Sequence, residues 1–240
     1  FLTSTDDKYT SYEDLYELLK EKKKLFIKPF GAGKGTGVNQ FQYINGKPYI
    51  GIKRSSRKEI INYMRKNDDW MISECMQQHS YSSDLYDKTV NTIRLITMRD
   101  IETQKIKIFF AVQRIGTSAT IPVDNGSRGG LVSKIDLETG ELSEARSLHS
   151  LEVHEVHPDS GAKIKGAVIP GWQDIKKEIL ALANKVSFMH FIAWDILVTE
   201  EGICIIEANT SSGVNIIQLW GGQRNKELGD FYRYHKAIRK

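Results

Sequence analysis

Two carboxylates and one amide stand at polar positions in two neighbouring apolar runs. Asp195 interrupts the run 191–199, and Glu207 and Asn209 interrupt the run 203–209. Two like charges that face each other among apolar side chains repel, unless a cation or a shared proton neutralises them. Because all three donors are oxygens, Mg²⁺ held by carboxylates together with phosphate oxygens fits best. The open alternative is that one carboxylate is protonated or faces solvent.

The residues between the two runs predict how these groups face one another. A three-residue turn that ends at a left-handed Gly202 would pair Thr199 with Ile203 and set Asp195 directly across from Glu207. The Cβ atoms of the two acidic residues would then lie ~5 Å apart. The amide two residues beyond the glutamate would project from the same face, because side chains alternate along a strand.

A glycine-rich segment, 31–37, follows a strand-like run in the first part of the chain. Glycine lets backbone N–H groups approach phosphate oxygens closely, and Lys34 supplies a charge. The P-loop pattern is absent, because Lys28 stands where its first glycine should be and Gly35 where its Ser or Thr should be. The dinucleotide fingerprint also fails, since a hairpin and not a helix follows. The remaining interpretation is a strand-loop-strand flap, preceded by a strand that carries Lys28. The alternative is a glycine-rich hairpin that binds no ligand.

The hydrophobic pattern predicts the elements that would position these groups. Amphipathic spacing and capping signals predict helices at 11–23, 57–66 and 174–187. Strands joined by short turns predict an α+β class with mixed or antiparallel sheets, in a first lobe, 1–76, and a second lobe, 77–240. The expected strands are 25–30, two runs joined at Asn45-Gly46, 70–76, 90–98, 106–114, a hairpin in 131–145 around Thr139-Gly140, 191–199 and 203–208.

Composition is typical of a globular protein with a sizeable core. Of the 240 residues, 40% are hydrophobic, and no apolar run approaches the ~18 residues of a membrane span, so we expect no membrane insertion. The N-terminus shows no signal-peptide pattern. Cys75 and Cys204 lie in apolar stretches, which favours buried free thiols over a disulfide and indicates the reducing cytoplasm.

The charge pattern and the histidines argue against two further kinds of site. The formal net charge is +4, with basic clusters at 21–24 and 53–58 that are typical of solvated faces, so no nucleic-acid partner is expected. His149, His154 and His157 have no Cys near them and no helical spacing, so we expect them to border an acceptor pocket or to be exposed, without zinc. Nothing in the pattern indicates an oligomeric state.

Several of these segments, taken together and in order, resemble the ATP-grasp superfamily over nearly the whole chain. Two phrases, Val90-Asn91-Thr92-Ile93-Arg94 and His157-Pro158-Asp159-Ser160-Gly161, are most similar to its sugar-transfer-associated branch, near the α-L-glutamate ligases. The resemblance implies two α+β lobes whose sheets clamp ATP between them. The segments that carry it are Phe26-Ile27-Lys28-Pro29 with the glycine flap, Ile72-Ser73-Glu74-Cys75-Met76, Asn91-Thr92-Ile93-Arg94, Asn125 with Gly129-Gly130, Asp195, and Glu207-Ala208-Asn209.

The resemblance assigns the nucleotide contacts to the first lobe and the residues after it. It implies that Lys28 touches the α- and β-phosphates, that the flap covers them, and that Glu74 to Met76 form the hinge that reads adenine. An acidic residue should contact the ribose shortly after; no residue in 77–84 matches that position cleanly, and Asp84 is the candidate. Family members usually carry an N-terminal lobe and another nucleotide-facing lysine further upstream. Lys8 is a poor substitute, so we expect that lobe to be trimmed or reduced. The implied nucleotide-binding residues are Lys28, Gly31, Gly33, Lys34, Gly35, Gly37, Glu74, Cys75, Met76 and Asp84.

The resemblance assigns metal and phosphoryl contacts to the second lobe. Asp195, Glu207 and Asn209 resemble the ligands of two Mg²⁺ ions that bridge the terminal phosphates of ATP. Arg114 and Asn125 resemble polar groups that face the transferred phosphoryl group. Arg94 either joins them or only holds the sheet.

The chemistry that the resemblance implies is ATP-dependent formation of a carbon–nitrogen bond. A carboxylate would take a phosphoryl group from ATP, and an amine would attack the resulting acyl phosphate to give an amide. The branch implies that the acid and the amine are small molecules. It further implies that they are sugar-linked and that the enzyme acts in polysaccharide biosynthesis. The alternatives are a kinase-like ATP-grasp enzyme that phosphorylates a small molecule or sugar, and a non-catalytic ATP-binding module.

Overall fold

The computed structural model describes residues 11–29, 37–150, 152–210 and 212–237. The chain divides into two compact units, 1–76 and 77–240. Among the described residues, no helix combines the length and the apolar character needed to cross a membrane.

The first unit is a five-stranded sheet with two helices. Its strands are ordered β4-β3-β2-β1-β5, and every neighbouring pair is antiparallel. Two helices pack on this sheet through a core that includes Leu19, Ile27, Phe41 and Ile60. The elements are α1 (Tyr12–Lys22), β1 (Lys24–Pro29), β2 (Asn39–Ile44), β3 (Lys47–Ile50), β4 (Lys53–Arg54), α2 (Arg57–Lys66) and β5 (Trp70–Glu74).

Local sequence explains where the elements of the first unit begin and turn. Ser11 and Ser56 each form a capping box with the acidic residue three positions later, which satisfies backbone N–H groups at the start of α1 and α2. Asn45 and Gly46 have φ angles of 50° and 75°, which is the backbone of a tight two-residue hairpin turn. The predicted first helix and the Asn45-Gly46 hairpin are confirmed.

The second unit is a seven-stranded antiparallel sheet with the order β10-β9-β8-β7-β6-β11-β12. Its two outermost strands are therefore β10 and β12. The elements are α3 (Ser80–Leu85), β6 (Ile93–Arg99), β7 (Ile106–Ile115), a 3₁₀ turn (Gly126–Arg128), β8 (Leu131–Ile135), β9 (Leu142–Ser147), β10 (Val153–His154), α4 (Trp172–Lys185), β11 (Phe191–Thr199), β12 (Gly202–Asn209), α5 (Asn215–Gln218) and α6 (Glu227–Tyr234).

Both faces of the larger sheet are partly covered. On one face, α4 contributes Trp172 and Ile179 to a core that also contains Leu95 and Ile196. On the other face, residues of α5 and α6 pack with a second apolar group that includes Ala193. Because side chains alternate along a strand, Asp195 lies on this second face, beside the apolar group.

The α+β class is confirmed, and the sheets are antiparallel wherever named strands pair. Helix α4 begins two residues before the predicted start, at Trp172. The sequence patterns missed five short elements: α3, β4, β10, α5 and α6. Each has at most eight residues, so hydrophobic periodicity has little length in which to appear.

Candidate active site

The middle of β11 holds Asp195 between two charged neighbours. Asp195 pairs with Arg94 on β6 and with Glu207 on β12, and Ala193 pairs with Asn209. Directly opposed residues of antiparallel strands share a face, so all four polar side chains lie on the same side of the sheet. The predicted opposition of Asp195 and Glu207 is confirmed.

The path to that pairing differs from the predicted one. Thr199 pairs with Gly202, so the turn contains only Glu200 and Glu201, and the predicted pairing of Thr199 with Ile203 is wrong. The register shifts between Asp195 and Ile196, because β12 contains one extra residue there, Ile206. A shorter turn and a bulge offset each other, which is why the final pairing agrees with the prediction.

Asp195 is buried, with 6% of its surface exposed, and two arginines neutralise it. Arg94 forms a two-pronged contact: its Nε donates to Oδ1 and its Nη2 donates to Oδ2 at 2.8 Å. Arg114 Nη1 donates to the same Oδ2 at 3.1 Å. Such forked, charge-assisted hydrogen bonds fix the orientation of a carboxylate as well as its charge.

Arg114 also contacts a second carboxylate. Its Nη2 donates to Asp124 Oδ1 at 2.5 Å, and Asp124 Oδ2 accepts from the backbone N–H and the hydroxyl of Thr92 at 2.7 and 2.6 Å. Arg94 Nη1 donates to Ser212 Oγ at 3.1 Å. The two arginines and two aspartates of this group, which we call the arginine cluster, carry equal and opposite charge.

The electrostatics of Arg114 follow from this position. Burial by itself lowers the pKa of the guanidinium, but the negative charges of Asp124 and Asp195 outweigh burial, so its pKa lies above the usual value. Among the described residues Arg114 donates to these two carboxylates only through Nη1 and Nη2, whereas a guanidinium carries five N–H donors. It therefore keeps donor capacity for another anion.

Glu207 has a different environment from the one that the sequence suggested. It is exposed, because β12 is an outermost strand of the sheet. The repulsion expected between two buried carboxylates does not arise, since Asp195 is neutralised by arginine and Glu207 faces solvent. The alternative that one carboxylate faces solvent describes the structure.

The residues present still fit a magnesium ion. Glu207, Asn209 and Asp195 offer oxygen donors from one face of a hairpin, and Mg²⁺ usually takes one or two protein carboxylates together with phosphate oxygens and water. Across the described ranges, no three or more His, Cys, Asp or Glu residues form a metal-binding group. An ion at this position would thus depend on the phosphates of a nucleotide for much of its coordination.

Asn125 lies beside the arginine cluster and has a local role in the loop. Its side chain accepts hydrogen bonds from the N–H and Oγ of Ser127, at 2.9 and 2.7 Å, and so caps the 3₁₀ turn. Its neighbour Asp124 is the residue that contacts Arg114. Sequence reasoning selected Asn125 and gave no site role to Asp124, Thr92 or Ser212. Thr92 lies within a segment that had been singled out and Asp124 directly precedes Asn125, whereas Ser212 carried no signal.

In the first unit the predicted phosphate-binding residues are described only in part. Lys28 lies near the end of β1, pairs with Met71 of β5 and is partly buried. Gly37 has a φ of +78°, and a Cβ there would lie 3.1 Å from Pro29 Cγ, so glycine suits this position. The remaining predicted residues fall outside the described ranges: Gly31, Gly33, Lys34, Gly35 and the upstream Lys8.

The predicted hinge residues follow β5. Glu74 ends that strand, is exposed, and forms an ion pair with Lys22 at 3.1 Å. Cys75 is a free, partly buried thiol, and burial raises its pKa; Met76 is 42% exposed. In the second unit, Asp84 lies exposed on α3. Cys204 is also free and partly buried, so the predicted free thiols are confirmed and their burial is only partial.

The histidines do not converge on a site. His157 is buried, with Nε2 placed 2.8 Å from the carbonyl of Gly116 and its ring stacked on Tyr86, so the expectation that it is exposed or borders a pocket was wrong. Its Nδ1 accepts from the backbone N–H groups of Asp159 and Ser160. His149 is exposed and lies 3.0 Å from the carbonyl of Ser127. His157 thus supports a loop.

Comparison with known proteins gives one strong match. The family described as sugar-transfer associated ATP-grasp matches residues 3–228. None of the curated proteins matches this sequence.

Three of the solved structures that match this chain are each at most 11% identical to it. The ATP-grasp ligase PsnB, complexed with a phosphomimetic variant of its minimal precursor, Mg and ADP, is 11% identical, with a TM-score of 0.42 and coverage of 85% of this chain and 43% of PsnB. A RiPP-associated ATP-grasp ligase from Chryseobacterium gregarium, in complex with ADP and a leader and core peptide, is 9% identical, with a TM-score of 0.45 and coverage of 96% and 54%. N5-carboxyaminoimidazole ribonucleotide synthetase from Thermus thermophilus is 11% identical, with a TM-score of 0.44 and coverage of 95% and 46%. The chain spans about half the length of these proteins.

Proposed function

The chain belongs to the sugar-transfer-associated ATP-grasp family, and we propose that it is a Mg-ATP-dependent ligase that joins a carboxylate to an amine. One observation carries the proposal: Asp195, Glu207 and Asn209 lie on one face of a single hairpin, with Arg94 and Arg114 beside Asp195. This set offers oxygen donors for a hard cation and N–H donors for phosphoryl oxygens on one sheet.

We assign nucleotide recognition to the predicted nucleotide-binding residues. Lys28 would place a point charge against the α- and β-phosphates, and the segment that includes Gly31, Gly33, Lys34, Gly35 and Gly37, most of which lies outside the described residues, would cover them. The backbone of Glu74, Cys75 and Met76 reads adenine, and Asp84 contacts the ribose. The exposure of Glu74, Met76 and Asp84 is consistent with these roles, since each is accessible to a ligand.

We assign the magnesium-binding role to Glu207, Asn209 and Asp195, with two ions in the nucleotide complex. Bound magnesium would offset charge on the terminal phosphates. The exposed Glu207 is the most accessible of the three donors. Arg94 and Arg114 offset the charge of the buried Asp195 and orient it, and the remaining N–H donors of Arg114 are available to phosphoryl oxygens. Asn125 supports the loop beside them.

The reaction needs no protein nucleophile. A carboxylate oxygen of the acid attacks the γ-phosphorus, the bond to the β–γ bridging oxygen breaks, and ADP leaves. The amine then attacks the acyl carbon, and inorganic phosphate leaves as the amide forms and a proton is released. Charge neutralisation and positioning supply most of the catalysis in such phosphoryl transfers. The family description supports sugar-linked acids or amines as substrates, in polysaccharide or sugar-conjugate synthesis.

The test is ATP turnover by the purified protein with a panel of acids and amines that includes sugar-linked members. We expect ADP release that requires magnesium and both substrates, and hydroxylamine in place of the amine should trap the acyl phosphate as a hydroxamate. Phosphorylated product without hydroxamate would support the kinase alternative. Absence of turnover across the panel, with nucleotide still bound, would support a binding module.

The predicted metal-binding role of Glu207 can be tested against a control substitution in the same hairpin. Glu207→Ala should lower turnover by about 100-fold or more, because even groups that only support metal ligands are worth 10- to 100-fold. Glu201→Ala, in the exposed turn, should leave turnover near that of wild type. Equal turnover in the two variants would remove Glu207 from the site.

A further inference from the structure

Arg114 is held between two buried carboxylates that differ in what anchors them. Asp195 lies in β11 and faces the solvent-exposed Glu207 of the outermost strand. Asp124 is 3% exposed and lies in the loop before the 3₁₀ turn. Nη1 of Arg114 donates to Asp195 and Nη2 donates to Asp124, so each carboxylate holds one end of the guanidinium.

Asp124 itself is fixed by backbone contacts. Its Oδ2 accepts from the N–H and hydroxyl of Thr92, and the carbonyl of Thr92 accepts from the backbone N–H of Arg114 at 2.7 Å. The carboxylate is therefore tied to the same stretch of sheet that carries Arg114. This closed set of hydrogen bonds leaves its Oδ1 facing the guanidinium.

The loop after Asp124 closes tightly on itself. Gly130 donates its backbone N–H to the carbonyl of Asn125 at 3.1 Å. A Cβ at Gly130 would lie 2.8 Å from the carbonyl oxygen of Asp124 and 3.0 Å from that of Asn125, so only glycine allows the loop to close this tightly. The hydrogen bond from Gly130 to Asn125 thus closes the loop that follows Asp124.

The two carboxylates consequently have different uses. Asp195 would be shared with a cation in the nucleotide complex, which weakens its hold on Arg114. The hydrogen bonds of Asp124 go to Thr92 and Arg114, so its contact with Nη2 does not depend on what Asp195 binds. One end of the guanidinium then remains fixed while the other is available to an anion.

We propose that Asp124 is the positioning residue of Arg114, which holds one end of the guanidinium so that the other end faces the transferred phosphoryl group. The inference rests on the proposed function, since it concerns the same reaction. It assigns to Asp124 an action through Arg114, without contact between Asp124 and substrate.

The chemistry of an isosteric substitution makes this testable. In Asp124→Asn, one carboxylate oxygen becomes an NH₂ donor. If the NH₂ group faced Thr92, it would oppose the backbone N–H of Thr92. If the retained oxygen faces Thr92 instead, it can accept from both the N–H and the hydroxyl of Thr92. The NH₂ group should therefore face Arg114 Nη2, which detaches the guanidinium while the loop stays anchored.

The experiment compares kinetic constants of the purified protein with those of Asp124→Asn. We expect kcat to fall by about 10- to 100-fold with the KM for ATP within about twofold, because a misplaced catalytic group affects mainly the transition state. In an Arg114→Ala background, Asp124→Asn should cause no further fall in kcat. A similar fall in both backgrounds would overturn the inference.

Asp159→Asn is the control for the loss of a loop hydrogen bond, at an exposed carboxylate. Asp159 also accepts from the N–H and hydroxyl of one residue, Ser118, at 2.7 and 3.0 Å, but among the described residues its hydrogen bonds involve no arginine. The variant should lose stability without losing kcat. If Asp159→Asn lowers kcat as much as Asp124→Asn does, the effect is a general consequence of loop damage and the inference fails.

A second variant covers the case of misfolding, and two outcomes separate this inference from the proposed function. If Asp124→Asn does not fold, Asp124→Glu replaces it, because it keeps the charge and moves the carboxylate by one methylene; unchanged kcat in a folded Asp124→Glu protein overturns the inference. Active wild type with unaffected Asp124→Asn overturns the positioning role alone. Wild type that never consumes ATP overturns the proposed function and the positioning role together.

Discussion

Strands β11 and β12 form one hairpin from two runs of similar apolar character, but their environments differ. Residues Ile192 to Val198 of β11 are all buried, whereas most of β12 is exposed. The difference arises from sheet order, since β11 has a neighbour on each side and β12 has only one. The same type of residue therefore has a different role on each strand: Asp195 is fixed by arginines, and Glu207 is accessible to a ligand.

The largest expected difference lies between the two carboxylates. Asp195→Ala should lower the free energy of unfolding by about 3–5 kcal/mol, because it leaves two largely buried arginines without their shared anion. Glu207→Ala should stay within about 0.5 kcal/mol of wild type, as exposed substitutions usually do. Urea denaturation of both variants measures this, and equal losses would contradict the comparison.

The apolar residues of the two strands should differ in the same direction. Ile196→Ala removes a fully buried side chain and should cost about 2–5 kcal/mol. Ile206 is 40% exposed, so Ile206→Ala should cost less than about 1 kcal/mol. Denaturation midpoints at constant m-value provide the measurement. A loss at Ile206 that matches the loss at Ile196 would show that another part of the protein covers β12.

Ligand-linked stability sharpens the comparison without relying on turnover. A non-hydrolysable ATP analogue with magnesium, at about 100 times its dissociation constant, should stabilise the wild type by about 2.7 kcal/mol. Glu207→Gln should reduce the part of this gain that depends on magnesium, because an amide is a weaker ligand for a hard cation. Ile206→Ala, one residue away on the same strand, should retain the gain. Thermal unfolding with and without magnesium distinguishes the two variants.

The smallest effect concerns the end of the turn. Gly202 has a φ of +137°, and among the described residues nothing lies within 4 Å of an added Cβ, so Gly202→Ala should cost about 1 kcal/mol through backbone strain alone. Gly222→Ala also adds a methyl group in open space, and its φ is ordinary. This control should stay within about 0.5 kcal/mol of wild type. A larger loss at Gly222 would show that crowding, and not φ, determines the cost.

The sequence predicts the elements well where length and turn chemistry are both present. The Asn45-Gly46 hairpin, the capped starts of α1 and α2 and the opposition of Asp195 and Glu207 all lie where the patterns place them, although the turn of the acidic hairpin does not. The short helices α3, α5 and α6 span fewer than three turns, too little for an amphipathic period to stand out.

The site is less predictable, because its key features are long-range. The contact between Arg94 and Asp195 joins residues 101 positions apart, and that between Arg114 and Asp195 joins residues 81 apart. Which of two adjacent polar residues, Asp124 or Asn125, reaches Arg114 depends on how the loop closes. Nor does an apolar run reveal whether its strand is central or outermost, and that property separates Asp195 from Glu207.

The extra residue in β12 has a consequence for how the strand can change. Inserting one residue changes the phase of the side-chain alternation by half a period. On the turn side of Ile206, Ile205 shares a face with Ile196 and the α4 core, while beyond it Glu207 shares the opposite face with Asp195. On the turn side, Ile203 packs against the α4 core, so its substitution is constrained by packing. Beyond the extra residue, Glu207 and Asn209 are constrained by the ligand that they bind in the proposed function, and not by packing.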